Sequence, residues 1–150
     1  MKLYLDTSVW NFRLNIHVPD KQRITQEFFG ALQGVHEPFV SILVLEELGR
    51  TPEEVRRSAL FSHLEQVSPG FLNWVPEVGA IADRVIEMGG LTERSRADAV
   101  HVGYAVVHGM DALVSWNMHD LVKLKTKRIV AGVCRLLGYK ELEIVTPEEV

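Results

Sequence analysis

Four places in the sequence put carboxylate or amide side chains beside apolar stretches with helix or strand character. Oxygen atoms of these side chains are the ligands that Mg²⁺ and Mn²⁺ prefer, and both ions bind few carboxylates while keeping several waters. Taken singly, each place also has a structural explanation, as a helix cap or as a solvent-exposed acid. The four places are Asp6, the pair Glu46 and Glu47, Asp98, and the segment 117–120.

Of the four places, Asp98 is the hardest to explain as a purely structural residue. On a helix predicted over 95–107, the positions four, seven and eight residues after it are apolar and share its face. A carboxylate that faces the core needs a partner, and no Lys or Arg lies on that face. His101 is the only local candidate, although Asp98 could instead form a capping box with Ser95. Acids without basic partners are typical of a divalent cation site.

The elements that must position these residues alternate between strands and helices. This alternation favours an α/β fold with a mostly parallel sheet, in which ligands bind beyond the carboxyl ends of the strands. Asp6 and the segment 115–117 both follow predicted strands, so we expect them at the same edge. Strands are predicted at 2–6, 38–42, 111–116 and 142–145, and helices at 20–32 (capped by Asp20), 44–50, 53–67, 76–89, 95–107 and 119–137.

Four stretches of the chain together resemble the PIN-domain family. They are LDTSVWN, SILVLEELGR, RADAVHVGYA and ALVSWNMHDL, they occur in the order of the family's motifs, and they span essentially the whole chain. VapC-type toxins and related single-domain PIN ribonucleases are the most similar members. The resemblance implies one domain over 1–150 with a three-layer α/β/α fold and a mostly parallel central sheet. It also implies Mg²⁺- or Mn²⁺-dependent cleavage of RNA, a small antitoxin partner and a homodimer.

The resemblance also assigns the site residues. Asp6 matches the acid at the end of the family's first strand, and Asp98 matches the acid at the start of a later helix. Glu47 matches the helical glutamate better than Glu46 does, because of the residues that flank it; helical spacing alone does not separate the two. These matches imply that Asp6, Glu47 and Asp98 hold the metal ion. The fourth family acid falls on Asn117, which is counted with them as a catalytic residue.

Asn117 departs from the commonest family pattern. An Asn side-chain oxygen can accept a hydrogen bond from a metal-bound water or coordinate weakly, but it carries no charge. Asp120 is not expected to replace the missing charge, because three residues further on it should face away. Thr7 and Ser8 follow Asp6 and are expected to support it.

The charge pattern bears on the substrate. The net charge is −4, which argues against general binding of polyanions. However, residues 121–140 contain six basic residues and no acid, and could be either a solvated helix face or a patch that attracts RNA phosphates. Trp10 and Trp116 adjoin the motif strands and could stack on a base, but core packing is the preferred interpretation.

Other classes of protein have less support. There is no phosphate-binding glycine loop, the six histidines lack metal-ligand spacing, and Cys134 has no partner for a disulfide. No apolar run approaches the roughly 18 residues of a membrane span, so a cytoplasmic location is expected. Two alternatives stay open: a PIN-like domain that binds RNA or a protein without cleaving, and a receiver-like signalling domain. The second lacks the acidic pair and the late Lys usual for receivers.

Overall fold

The fold is built around five short parallel strands. In a computed structural model that describes all 150 residues, the strands form one sheet in the order β3-β2-β1-β4-β5, and every neighbouring pair is parallel. The sequence-based prediction of a parallel α/β fold is confirmed. The strands are β1 (Lys2–Leu5), β2 (Glu37–Ser41), β3 (Gly70–Leu72), β4 (Ala112–Val114) and β5 (Glu143–Val145).

Seven helices connect the strands and cover the two faces of the sheet. Right-handed crossovers place the helices between β1 and β3 on one face. After β3 the chain crosses to the other side of β1, so the same rule places the later helices on the opposite face. Packing agrees with this division, since α1 contacts α2, α3 and α4, whereas α5 contacts α6 and α7. The helices are α1 (Thr7–Phe12), α2 (Pro19–Leu32), α3 (Ile42–Gly49), α4 (Glu54–Val67), α5 (Pro76–Glu87), α6 (Arg96–Val107) and α7 (Leu124–Leu137).

The core lies on both sides of the central strands. Leu3, Tyr4 and Leu5 of β1 and all of β4 are buried, as expected for parallel strands covered on both faces. A cluster of 33 buried apolar residues joins the strands to the helices. No helix is long and apolar enough to cross a membrane.

Several predicted boundaries are wrong, for identifiable reasons. The helix predicted from residue 119 begins at Leu124, because the Asn117 carbonyl accepts bonds from the amides of Leu121 and Val122 and folds that segment into turns. Asp20 does not cap α2, which begins one residue earlier at Pro19. The edge strand β3 was not predicted, since three residues are too short for a periodic pattern, and the six-residue helix α1 was anticipated only in the explanation of Asp6 as a helix cap.

Candidate active site

The predicted site residues meet at the carboxyl edge of the sheet, between β1 and β4. The chain leaves β1 in one direction and β4 in the other, and the point where strand order reverses is where open α/β sheets bind ligands. Asp6 follows β1, and the hydroxyl of Ser115, which follows β4, donates a hydrogen bond of 2.6 Å to its Oδ2. The sheet therefore joins two segments that are more than a hundred residues apart in the chain.

Asp6 is both a helix cap and a buried acid at this edge. Its Oδ1 accepts hydrogen bonds from the backbone amide of Ser8, at 3.0 Å, and from the Ser8 hydroxyl, so it caps α1. Only 3% of the residue is exposed. Burial raises the pKa of Asp6 and outweighs the opposing effects of His101 and of the hydrogen bonds from Ser115 and Ser8. Both carboxylate oxygens are hydrogen-bonded, but no Lys or Arg balances the charge.

Glu47 reaches the site from α3, while its neighbour Glu46 does not. Glu47 Oε1 accepts a bond of 2.9 Å from the Thr7 hydroxyl and lies 2.6 Å from His101 Nε2. Burial acts to raise the pKa of Glu47, but the contacts with His101 and Thr7, together with nearby Arg50, lower it overall. Glu46 is exposed and acts instead on Tyr104, on another part of α6. The structure thus separates two acids that helical spacing did not.

Asp98 lies in the first turn of α6 and faces the same site. The capping box that was the alternative explanation for Asp98 is absent, because Ser95 makes no side-chain capping bond. Instead, Asp98 Oδ2 accepts a hydrogen bond of 3.0 Å from Asn117 Nδ2. Burial, together with the negative charges of Asp6 and Asp120, raises the pKa of Asp98 to about 6, against the opposing effects of His101 and Asn117. Asp98 is therefore an acid whose ionised form is poorly compensated at neutral pH.

Asn117 organises the loop after β4 with all of its polar groups. Its backbone amide bonds to Ser115 Oγ at 2.9 Å, and its Oδ1 accepts the Asp120 amide at 3.0 Å. The side-chain nitrogen, and not the oxygen, therefore meets Asp98. The carboxylate of Asp120, which was expected to face away, pairs with exposed His119, and its charge raises the pKa of Asp98.

The hydrogen bonds that three residues make around the site were not predicted from the sequence. Ser115 was noted only as part of a strand end, yet its hydroxyl contacts both Asp6 and Asn117. Tyr4 and Ser41 are fully buried and bond to each other and, through Tyr4, to His101. A buried tyrosine in a strand carries no sequence signal for such a role. His101, the local partner suggested for Asp98, bonds instead to Glu47 and Tyr4.

The two tryptophans next to the motif strands are core residues, as preferred from the sequence. Trp10 is fully buried and packs on Phe29. Trp116 is 7% exposed and donates from Nε1 to Thr25 Oγ1 at 2.8 Å. Lys21 lies over the Trp116 ring, 5.2 Å from its centre, which leaves no open face for a base on that side.

The donor set fits a hard divalent cation in chemistry, although its side chains do not converge. Carboxylate oxygens from three elements face one edge, two of them with raised pKa values. However, no three His, Cys, Asp or Glu side chains are close enough to share one ion in the present rotamers. The hydroxyls of Ser8 and Ser115 hold Asp6, and Asn117 holds Asp98, where a metal would compete for the same oxygens.

The strand order, the covered sheet and the acidic carboxyl edge define this chain as an α/β protein with a PIN-like fold. Among solved structures, it is similar to a chain of VapBC2 from Rickettsia felis bound to a DNA fragment from their promoter. The TM-score is 0.60 with 12% sequence identity, over 97% of this chain and 98% of that chain. No protein-family model matches the sequence, and no curated protein matches it. The resemblance to VapC-type PIN domains is thus confirmed as a likeness of fold.

Proposed function

We propose that this protein is a metal-dependent endoribonuclease whose Mg²⁺ or Mn²⁺ ion is held by Asp6, Glu47 and Asp98. The observation that carries the proposal is that these three carboxyl groups lie along one edge of the sheet, at the strand-order reversal, without an ion pair to any Lys or Arg. Burial raises the pKa values of Asp6 and Asp98, and the charges of Asp6 and Asp120 raise that of Asp98 further, as expected where a bound cation is meant to supply the compensating charge. Such a site favours hard oxygen-binding metals over zinc.

The protein's own residues prepare the site for phosphodiester hydrolysis. When bound, the metal ion supplies a water of lowered pKa and neutralises charge on the phosphate. Ser8 and Ser115 fix the position of Asp6, and Thr7 and His101 fix Glu47. Asn117 holds Asp98 through its amide nitrogen. Its role in catalysis is therefore to orient a ligand rather than to supply a fourth charge.

RNA is the proposed substrate because cations lie next to an otherwise acidic site. The first turn of α7 is tied to the site loop, since the Thr126 hydroxyl donates to the Asp120 carbonyl. Four cations at this end of the helix form no salt bridge. By contrast, Arg135 near its far end and Lys140 just beyond it are each paired with an acid. Phosphate contacts of this kind supply affinity without base selection. The four are Lys123, Lys125, Lys127 and Arg128.

The fold likeness supports a place in a toxin–antitoxin pair. The similar chain comes from a VapBC2 complex on promoter DNA. We therefore propose that a small antitoxin restrains this ribonuclease in the cytoplasm and that the free enzyme is a homodimer. Light scattering on the purified protein tests the dimer. Co-purification with the product of an adjacent short reading frame tests the antitoxin, and a monomeric protein or an unbound product contradicts the respective claim.

Cleavage of a labelled RNA pool with Mn²⁺ or Mg²⁺ tests the ribonuclease. Wild-type protein should cleave and EDTA should stop it. We expect Asp6→Asn, Glu47→Gln and Asp98→Asn each to lower the rate by more than the roughly 10- to 100-fold typical of losing a residue that only supports a ligand. Glu46→Gln is the matched control, since it makes the same change one position away on an exposed side chain.

The outcomes separate the two PIN-like alternatives. Loss of cleavage in the three site variants, with normal cleavage by Glu46→Gln, supports the assigned site. Variants that cleave as well as wild type contradict it. RNA binding without any metal-dependent cleavage by the wild-type protein would replace the enzyme with a non-catalytic RNA-binding domain.

A further inference from the structure

A chain of buried hydrogen bonds runs from the sheet to Glu47. Ser41 Oγ lies 2.8 Å from Tyr4 Oη, and Tyr4 Oη lies 2.7 Å from His101 Nδ1. His101 Nε2 then lies 2.6 Å from Glu47 Oε1. Ser41 and Tyr4 are fully buried and His101 is 2% exposed, so water does not compete for the bonds among these three residues, whereas Glu47 is partly exposed. The chain connects β2, β1, α6 and α3.

The partners in this chain determine how the His101 ring is held. An ionised carboxylate only accepts hydrogen bonds, so Nε2 must carry the hydrogen that points at Glu47. A tyrosine hydroxyl can donate to Nδ1 of a neutral ring or accept from a protonated one, so Tyr4 suits both states. Ser41 precedes α3 but makes no capping bond, which leaves its hydroxyl for Tyr4.

The bonds to Glu47 leave one carboxylate oxygen free. Thr7 and His101 both bond to Oε1, and Oε2 has no hydrogen-bond partner. Asp6, by contrast, has partners on both oxygens. Like Asp98, which is held through Oδ2 alone, Glu47 is thus a ligand candidate whose orientation is fixed while one oxygen stays available.

We propose that Tyr4 is a positioning residue: it holds His101, and His101 holds Glu47 so that Oε2 is presented to the divalent cation. This inference rests on the proposed function. Partners of this kind, one step removed from a metal, affect affinity by orienting the ligand. Tyr4 itself touches neither metal nor RNA.

The test compares Tyr4→Phe with Tyr104→Phe in the full chain. Tyr104 is 1% exposed, its ring stacks on that of Tyr4 at 6.4 Å, and its hydroxyl makes no hydrogen bond to the protein. Each variant therefore removes one hydroxyl from the same aromatic cluster, but only one of them breaks the contact with His101. Mn²⁺ affinity is measured by calorimetry, and the ring nitrogens of His101 are observed by ¹⁵N NMR without metal.

We expect Tyr4→Phe to weaken Mn²⁺ binding by about 10-fold and Tyr104→Phe to leave it unchanged. In all three proteins, Nε2 of His101 should carry a hydrogen, because Glu47 only accepts. In Tyr4→Phe, where the ring has lost its second partner, this hydrogen should exchange with water faster than in the wild type and in Tyr104→Phe. Equal Mn²⁺ affinity in all three proteins overturns the positioning role alone. Wild-type protein that binds no Mn²⁺ overturns the proposed function, and the positioning role falls with it.

If Tyr4→Phe does not fold, the wild-type NMR spectrum decides. A His101 ring that carries its only hydrogen on Nδ1 cannot donate to Glu47 and overturns the inference. A hydrogen on Nε2, retained when Tyr104→Phe is introduced, supports it.

Discussion

At the scale of single residues, the three carboxyl groups of the site differ in how their charge is compensated. Glu47 has a lowered pKa because His101 and Thr7 contact it, despite its burial. Asp98 has one amide donor, lies near Asp6 and Asp120, and has a pKa of about 6. At neutral pH, the ionised carboxylate of Asp98 therefore destabilises the metal-free protein. This loss of stability gives a test that needs no substrate.

We expect Asp98→Asn to stabilise the metal-free protein at pH 8 but not at pH 4. Because the folded-state pKa of about 6 exceeds the ordinary value of 3.8, the wild type loses stability as the pH rises through this interval. Removing the charge should restore about 1–3 kcal/mol at pH 8. Urea unfolding with EDTA at both pH values measures it.

The control for this prediction is Asp20→Asn, the same change at an exposed residue in the first turn of α2. It should give no gain at pH 8. An equal effect of Asp98→Asn at the two pH values would mean that the charge of Asp98 is not the source of the instability.

At the scale of elements, the position of α6 decides whether Asp98 and His101 face the site. This helix packs closely on α5 because Gly103 has no side chain. A Cβ atom at Gly103 would lie 2.4 Å from the Val78 carbonyl oxygen. The packing of α6 on α5 therefore requires glycine at position 103, although helix propensity alone would favour alanine there.

We expect Gly103→Ala to lower the free energy of unfolding by about 1–3 kcal/mol, the usual effect of overpacking. Gly132→Ala is the matched control, because α7 has nothing within 4 Å of a Cβ at that position. Helix propensity should make the control stabilising by up to about 1 kcal/mol. Urea denaturation of both variants measures the difference, and equal stability would contradict the close contact between α5 and α6.

At the scale of the whole molecule, a net charge of −4 and a cationic end of α7 would act in opposite senses on the RNA proposed as substrate. The acidic body disfavours non-specific binding, and the cations beside the site loop favour binding there. Affinity should then depend on salt through few phosphate contacts.

We expect Lys125→Gln with Arg128→Gln to weaken binding of single-stranded RNA and to reduce the slope of log K against log salt by about 1.4, or roughly 0.7 per lost contact. Arg135→Gln with Lys140→Gln is the matched control. It also removes one Lys and one Arg, and the residues changed in both double variants are exposed. Unlike Lys125 and Arg128, the two control residues are paired with acids. Equal slopes for the two double variants would contradict the binding of RNA phosphates along the start of α7. Fluorescence anisotropy at several salt concentrations gives the slopes.

The sequence by itself determined the class of fold, because strand and helix patterns alternate along the chain and parallel strands bury continuous apolar runs. It also indicated Asp6 and Asp98, since a carboxylate after a buried strand or on an apolar helix face is conspicuous. The family resemblance favoured Glu47 over Glu46, which helical spacing did not separate. Only the tertiary structure showed the contacts of Glu47 with Thr7 and His101 and joined Ser115 to Asp6. Only it connected Tyr4 to Glu47 through His101. The physical reason is that hydrogen bonds between distant segments depend on strand order and side-chain direction, which leave no periodic trace in the sequence.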